Sequence, residues 1–135
     1  MKNTFFAFLT VALGAVLSGC SVFTASNNHL HPADFVKKLH QDGIKIEMVR
    51  LLAPEPLGAS EALEIRIGQS NLGIYKYDIL NEAQKKRLKK IEQSKRVYFN
   101  GFPYPIYETS GSFIIVGLDK HKDKKIILES FKNFR

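Results

Sequence analysis

The sequence predicts an α+β fold, an antiparallel sheet of about five to six strands with its helices packed on one face. Several short segments alternate apolar and polar residues, as half-buried strands do. Residues 64–91 and residues 105–131 also share one order of elements: a strand, a polar turn, a strand ending in an aspartate, and a lysine-rich helix. This repeated order predicts two hairpin-plus-helix units.

The first predicted elements are a helix and a strand. Pro32 suits the opening turn of a helix over residues 32–41, and Asp42-Gly43 ends it. Residues 44–48 then alternate apolar and charged side chains, which predicts a strand with one buried face. Residues 53–60 contain two prolines and a glycine, which indicates an exposed loop.

A hairpin and a second helix are predicted next. Residues 63–67 and 73–78 have extended patterns and are separated by polar turn residues. Asn81, followed three residues later by Gln84, is a capping-box signature. It predicts a helix that continues to about Ser94, with a thin apolar stripe.

The last third of the chain predicts a second hairpin, a central strand and a third helix. Asn100-Gly101 between apolar residues is a strong hairpin signal. Pro103 and Pro105 restrict the strand that follows to a sheet edge or a kink. Residues 113–118 are almost all apolar, which favours a central strand, and the segment after Asp119 predicts the helix.

The first twenty residues have the layout of an export signal. Lys2 gives a positive start, and an apolar run follows from Phe5 to Leu17. This run is shorter than the roughly 20 residues that a membrane-spanning helix needs. It closes with Leu17-Ser18-Gly19-Cys20, which contains the single cysteine of the chain. This tetrapeptide resembles the lipobox of bacterial lipoproteins.

The resemblance implies a lipid anchor on Cys20. The cysteine would receive a diacylglycerol thioether, and a lipoprotein signal peptidase would cut between Gly19 and Cys20. Two acyl chains suffice for stable anchoring. The expected organisation is therefore a signal peptide over residues 1–19, a lipidated flexible tether over 20–28 and a single α+β domain over 29–135.

The positive charge is concentrated in the second half of the chain. The net charge is +7, and residues 80–135 contain thirteen basic and six acidic side chains. Such a balance raises nucleic acid as a partner. The predicted export argues against it, and an Asn-Gly turn interrupts the aromatic segment 96–102 that an RNA-binding strand would need. Anionic lipid headgroups or wall polymers are the expected counter-charge.

Two surfaces are candidate contact sites. The basic face of the second predicted helix would contact an anionic surface, or would only keep the protein soluble. The aromatic stretch 98–107 would offer a rigid amphipathic surface to an envelope protein, or its rings would only pack in the core. The candidate contact residues are Lys85, Lys86, Arg87, Lys89, Lys90, Tyr104 and Tyr107.

No sequence motif indicates a catalytic or cofactor site. The GxSxG, HExxH and phosphate-binding glycine-loop patterns are absent. Three histidines near the first helix could gather a metal, but structural metal sites normally have four ordered ligands. His121 is expected in a solvated loop. Asp78 and Asp119 are most simply turn residues; the alternative is an acid/base pair with one raised pKa. We predict no cofactor, metal ligand or catalytic residue.

These patterns favour a lipid-anchored, extracytoplasmic binding or assembly module of the bacterial cell envelope. The alternatives are an enzyme or inhibitor acting on an envelope polymer, and a purely structural lipoprotein. Ser21 stands where an aspartate would resemble an inner-membrane retention signal. We therefore expect the outer membrane in a Gram-negative cell and otherwise the outer leaflet of the cytoplasmic membrane.

Overall fold

The computed structural model describes residues 27–135, so the predicted signal peptide and Cys20 lie outside the described residues. The helices are α1 (Pro32–Gln41), α2 (Glu82–Ser94) and α3 (Lys124–Lys132). The strands are β1 (Met48–Leu51), β2 (Glu61–Ile67), β3 (Ser70–Lys76), β4 (Arg96–Phe99), β5 (Phe102–Pro105), β6 (Thr109–Ser110) and β7 (Phe113–Val116). A short 3-10 turn, Glu55–Leu57, lies between β1 and β2.

Five of the strands form one antiparallel sheet in the order β1-β2-β3-β7-β6. Strands β4 and β5 form a separate two-stranded hairpin. The predicted α+β class and antiparallel sheet are therefore confirmed. The β2–β3 hairpin precedes α2, and the β6–β7 hairpin precedes α3, as the repeated order of elements predicts.

The helices occupy both faces of the sheet, whereas the sequence pattern predicted one. Helices α1 and α3 cover the face that carries Ile65, Ile74 and Phe113. Helix α2 and the β4–β5 hairpin cover the opposite face, which carries Tyr75 and Ile114. Because β3 and β7 bear large apolar side chains on both sides, each face needs a covering layer. The single helix face is thus the part of the predicted architecture that the structure corrects.

Strand β1 begins four residues later than the predicted strand, which started at Ile44. Ile44 instead packs in the core beneath α1. Pairing with β2 sets the register from Met48 opposite Arg66 to Leu51 opposite Leu63. Alternation alone predicted an extended segment but not where this pairing starts.

The two asparagines assigned to the tether belong to the folded domain. The side chain of Asn27 is 1% exposed; its amide donates to the carbonyls of Ser110 and Phe134, each at 2.9 Å. Its side-chain oxygen accepts from the amide of Ser112 at 2.8 Å. Asn28 bonds to the Ser112 hydroxyl and to the Ile79 amide. The domain therefore includes residue 27, because these amide side chains satisfy backbone groups that would otherwise be buried without partners.

A cationic groove beside helix α2

Helix α2 is held to the sheet by a narrow apolar stripe. Its buried side chains are Leu88 and Ile91. Asn81 caps the first turn by accepting from the Gln84 amide at 3.1 Å. The side chain of Gln84 accepts from the backbone amide of Asp78 at 2.6 Å. In a capping box it would accept from the backbone amide of Asn81 instead. The predicted helix start and thin stripe are both present, and most of the helix surface faces solvent.

The cations of α2 have no acidic partner among the described residues, in contrast with those of α1. In α1, Lys37 lies 3.8 Å from Asp34 and Lys38 lies 3.0 Å from Asp42. No ion pair within residues 27–135 involves any of the five basic residues of α2 or the two that follow it. These residues are Lys85, Lys86, Arg87, Lys89, Lys90, Lys95 and Arg96.

Helix α2, strand β4 and the 3-10 turn enclose a groove of about 870 Å³. Four cations line it: Lys86, Arg87, Lys90 and Arg96. The apolar lining residues are Pro56, Leu57, Ala83, Ile91, Val97 and the ring of Tyr98, with Gln93 and Ser94 as neutral polar residues. The groove therefore combines an apolar floor with a positively charged rim.

Only part of the predicted basic face borders this groove. Successive helix residues are rotated by about 100°, so residues three and four apart share a face. Lys86, Arg87 and Lys90 fall on the groove side together with Ala83. Lys85 and Lys89 are exposed but do not line the groove. The five predicted contact residues thus belong to two different surfaces.

Arg87 is packed closely against the 3-10 turn. Gly58 follows that turn with a φ of 65°, a left-handed conformation that favours glycine. A Cβ at Gly58 would lie 2.5 Å from Cδ and Nε of Arg87. Burial raises the pKa of the neighbouring Tyr77 hydroxyl, and the positive charge of Arg87 opposes that rise. The exposed Arg87 side chain therefore lies over the space that a Cβ at residue 58 would occupy.

The β4–β5 hairpin presents exposed aromatic side chains, and one of them, Tyr98, lines the groove. Asn100 and Gly101 both have positive φ values, 50° and 81°, as a tight two-residue hairpin turn requires. Tyr98 is 58% exposed and lines the groove, whereas Phe102 is 67% exposed at the hairpin tip. The predicted Asn-Gly hairpin is confirmed, and it carries an exposed aromatic surface.

The two tyrosines predicted as contact residues lie on different parts of the structure. Tyr104 is 42% exposed on β5, opposite Val97. Tyr107 follows the hairpin and packs against α3, where Nζ of Lys124 lies 4.8 Å from its ring centre and 3.3 Å from its hydroxyl. Tyr98 belongs to the predicted aromatic stretch 98–107 but was not one of the predicted contact residues. Its exposure follows from strand alternation, because the preceding Val97 is buried against α2.

The hypothesis that Asp78 and Asp119 form an acid/base pair is wrong. Strands β3 and β7 are antiparallel neighbours, so the residues that follow them lie at opposite ends of the sheet. Hydrogen bonds from Asn28 and from the Leu80 amide hold the pKa of Asp78 below its usual value, whereas a shared proton would raise it. Asp78 acts as the turn residue that was the simpler prediction.

Two of the four histidines, His31 and His121, have hydrogen-bond partners among the described residues. Nδ1 of His31 lies 3.0 Å from both carboxylate oxygens of Glu61. His121 was expected in a solvated loop but is only 6% exposed. Its Nε2 lies 3.3 Å from the Ile67 carbonyl, and its Nδ1 accepts from the Asp123 amide. Within residues 27–135, no three histidine, aspartate or glutamate side chains gather closely enough to hold a metal ion.

Comparisons of the chain with models of protein families, with curated proteins and with solved structures find no match. Across residues 27–135, no helix has both the length and the apolar character needed to cross a membrane. The functional interpretation therefore depends on the residues themselves and on their geometry.

Proposed function

We propose that the protein is a lipid-anchored, extracytoplasmic binding or assembly module of the bacterial cell envelope. The observation that carries this proposal is the set of α2 cations without an acidic partner in residues 27–135, beside an exposed aromatic hairpin. Cations that a fold needs for its own stability have acidic or carbonyl partners, as Lys38 does. Those of α2 lack acidic partners within the described domain and are available to an anionic partner.

The position of Asn27 supports a membrane partner. The lipobox cysteine, Cys20, precedes Asn27 by seven residues, which can span at most about 25 Å when fully extended. A lipid on Cys20 would therefore keep the domain within about 25 Å of the bilayer. A lysine or arginine close to an anionic membrane contributes about 1 kcal/mol to binding. The lipid on Cys20 and the cations of α2 would therefore both bind the same membrane.

The aromatic hairpin supports the assembly part of the proposal. Tyrosine and phenylalanine are enriched in the cores of protein interfaces, and contiguous exposed apolar patches mark interaction sites. Phe99 and Phe102 face one another across the turn. The separate two-stranded hairpin carries them at its tip, next to the cationic groove.

The residues that line the groove favour a binding function over catalysis on envelope polymers. Its described lining consists of cations, two neutral polar residues and apolar residues, without a carboxylate or a histidine. General acid/base chemistry most often uses those two groups. Cations around an apolar floor are instead suited to holding an amphiphilic anion.

The anchor is tested by metabolic labelling with a fatty acid analogue in cells that produce the full chain. We expect label on the native protein and none on Cys20→Ala, with Ser21→Ala as a matched control that keeps the label. The native protein should also be digested by protease added outside the cytoplasmic membrane. Label retained by Cys20→Ala, or protection from external protease, would contradict the proposal.

A further inference from the structure

We propose that the groove between α2, β4 and the Glu55–Leu57 turn binds one anionic phospholipid from the leaflet that carries the anchor. The phosphate would lie among Lys86, Arg87, Lys90 and Arg96, with the glycerol and the first methylenes on the apolar floor. This inference rests on the proposed lipid anchoring and names the ligand of the same surface.

The charge of the groove favours a phosphate group. Arginine guanidinium groups bind phosphate oxygens in bidentate geometry, and lysines add point charges. Lys86 and Lys90 are one helical turn apart, so their like charges repel each other. An anion between them relieves this repulsion. None of the four cations forms an ion pair within residues 27–135 that a ligand would first have to break.

The floor of the groove favours an amphiphile over a purely hydrophilic anion. Leu57, Ile91 and Val97 contribute apolar surface below the cations, and Pro56 and Ala83 extend it. A polyanion without an apolar part would leave this surface in contact with water. The volume of about 870 Å³ lies within the range of small-molecule sites, roughly 300–1,000 Å³.

Arg87 lies on the side of the groove that the 3-10 turn forms. Its side chain packs on Gly58, where a Cβ could not be accommodated without displacing it. Arg87 is exposed like the other three cations of the groove, so all four side chains can adjust around a phosphate.

The location of the groove favours a lipid over an acidic protein segment. The chain enters the domain at Asn27, and the next residue, Asn28, bonds to the Ile79 amide three residues before α2 begins. Helix α2 has 13 residues and is therefore about 20 Å long, which is comparable to the reach of the segment between Cys20 and Asn27. Tyr98 lines the groove with an aromatic ring of the kind that lies at membrane–water interfaces. Anchored lipoprotein and anionic lipid would thus meet in the same leaflet.

The test compares two double variants with the same change in charge on the same helix. Lys86→Gln with Lys90→Gln removes two groove cations, and Lys85→Gln with Lys89→Gln removes two cations outside it. Full chain in neutral detergent micelles is titrated with spin-labelled phosphatidylglycerol, with phosphatidylcholine and with tail-less glycerophosphoglycerol. We expect the groove variant to bind phosphatidylglycerol at least about tenfold more weakly and the control variant to change by less than about threefold. Phosphatidylcholine and the tail-less headgroup should bind at least tenfold more weakly to the native chain.

Three results would overturn the inference. Equal weakening by both double variants would indicate diffuse surface charge instead of a groove. Equal binding of the tail-less headgroup would show that the apolar floor is not used, and equal binding of phosphatidylcholine would remove the role of charge. The titration is repeated with Cys20→Ala, so that a missing lipid on Cys20 and a failure of the groove to bind are distinguished.

Discussion

Helices α1 and α2 lie on opposite faces of one sheet and differ in how they use apolar and charged side chains. Helix α1 buries Pro32, Phe35 and Leu39, and both of its lysines lie within 4 Å of an aspartate. Helix α2 is longer, buries two side chains, and has cations without an acidic partner in the described domain. The difference indicates that α1 stabilises the fold, whereas α2 leaves its charge available to a partner.

The packing beneath each helix matches this division. Phe35 contacts Phe131 and Phe134, with ring centres 5.7 Å and 5.2 Å apart, in an aromatic cluster beneath α1. Beneath α2, the core is smaller and includes the polar ends of Tyr75 and Tyr77. The Tyr77 hydroxyl donates to the Leu57 carbonyl at 2.8 Å and so ties the wall of the groove to the sheet.

The largest expected effect comes from the core beneath α1. Phe35→Ala should lower the free energy of unfolding by about 3–5 kcal/mol, because it leaves a cavity among aromatic rings. Leu88→Ala in α2 should cost less, because leucine is smaller than phenylalanine and Leu88 lies in the smaller of the two core clusters. Urea denaturation of the full chain measures both. A larger loss for Leu88→Ala would reverse the proposed division between the helices.

The next largest effect concerns the asparagine that precedes α1. Asn27→Ala should cost about 2 kcal/mol, because it leaves buried backbone groups of Ser110, Ser112 and Phe134 without partners. The exposed Asn133 provides a matched control, and Asn133→Ala should change the free energy of unfolding by less than about 0.5 kcal/mol. Equal effects in urea denaturation would mean that Asn27 is not part of the folded domain.

A smaller effect, which depends on pH, concerns the end of α1. Hydrogen bonds from Ser130 and from Lys38 lower the pKa of Asp42 below its ordinary value of 3.8, and the bond from Ser130 has the larger effect. The ionised carboxylate therefore contributes stability above about pH 3.8, and this contribution is lost as the pH falls through the lowered pKa. Asp42→Asn should reduce stability at pH 7 and make the loss of stability on acidification less steep. Urea denaturation at pH 7, 4 and 3 measures this.

Ser130→Ala serves as the second arm of that experiment. It removes the hydroxyl that is 2.6 Å from the Asp42 carboxylate and should produce part of the same change. An acid-unfolding profile that neither variant alters would rule out the link between α1 and α3 through Asp42.

The smallest expected effects differ in sign between the two helices. Lys38→Gln removes a partner of Asp42 and should cost a few tenths of a kcal/mol. Lys90→Gln removes repulsion from Lys86 and should add about 0.2–0.5 kcal/mol to the free energy of unfolding. Thermal denaturation of both variants at low ionic strength provides the comparison. Two losses of similar size would indicate that Lys90 has a stabilising partner in the fold.

Local patterns in the sequence predicted the parts of the fold that depend on local interactions. Asn81 marks the start of α2 because its side chain caps the helix, and Asn100-Gly101 forms the hairpin turn because both residues tolerate positive φ. The alternating residues of β2 and β3 gave their pairing as a hairpin.

Long-range contacts decide the parts that the sequence could not reveal. The local sequence around Asn27 indicates a tether. In the fold, the turn between β6 and β7 and the end of the chain lie beside Asn27 and bond to its side chain. The composition of the groove depends on how α2 is rotated about its own axis, because this rotation directs Lys86 and Lys90, and not Lys85 and Lys89, to the groove. The groove also needs Arg96 and the 3-10 turn, which come from other elements. The periodicity of the sequence shows which residues share a face of a helix, but it does not show which other elements of the fold pack against that face.

Hydrogen–deuterium exchange of the full chain in lipid nanodiscs tests the proposed division most directly. With phosphatidylglycerol nanodiscs, amides of α2 and the β4–β5 hairpin, residues 82–105, should exchange more slowly than with phosphatidylcholine nanodiscs. Amides of α1 should exchange at the same rate in both. Protection that appears in α1 or β1, or protection of α2 that does not depend on the charge of the lipid, would contradict the proposal that α2 is the helix that meets the membrane.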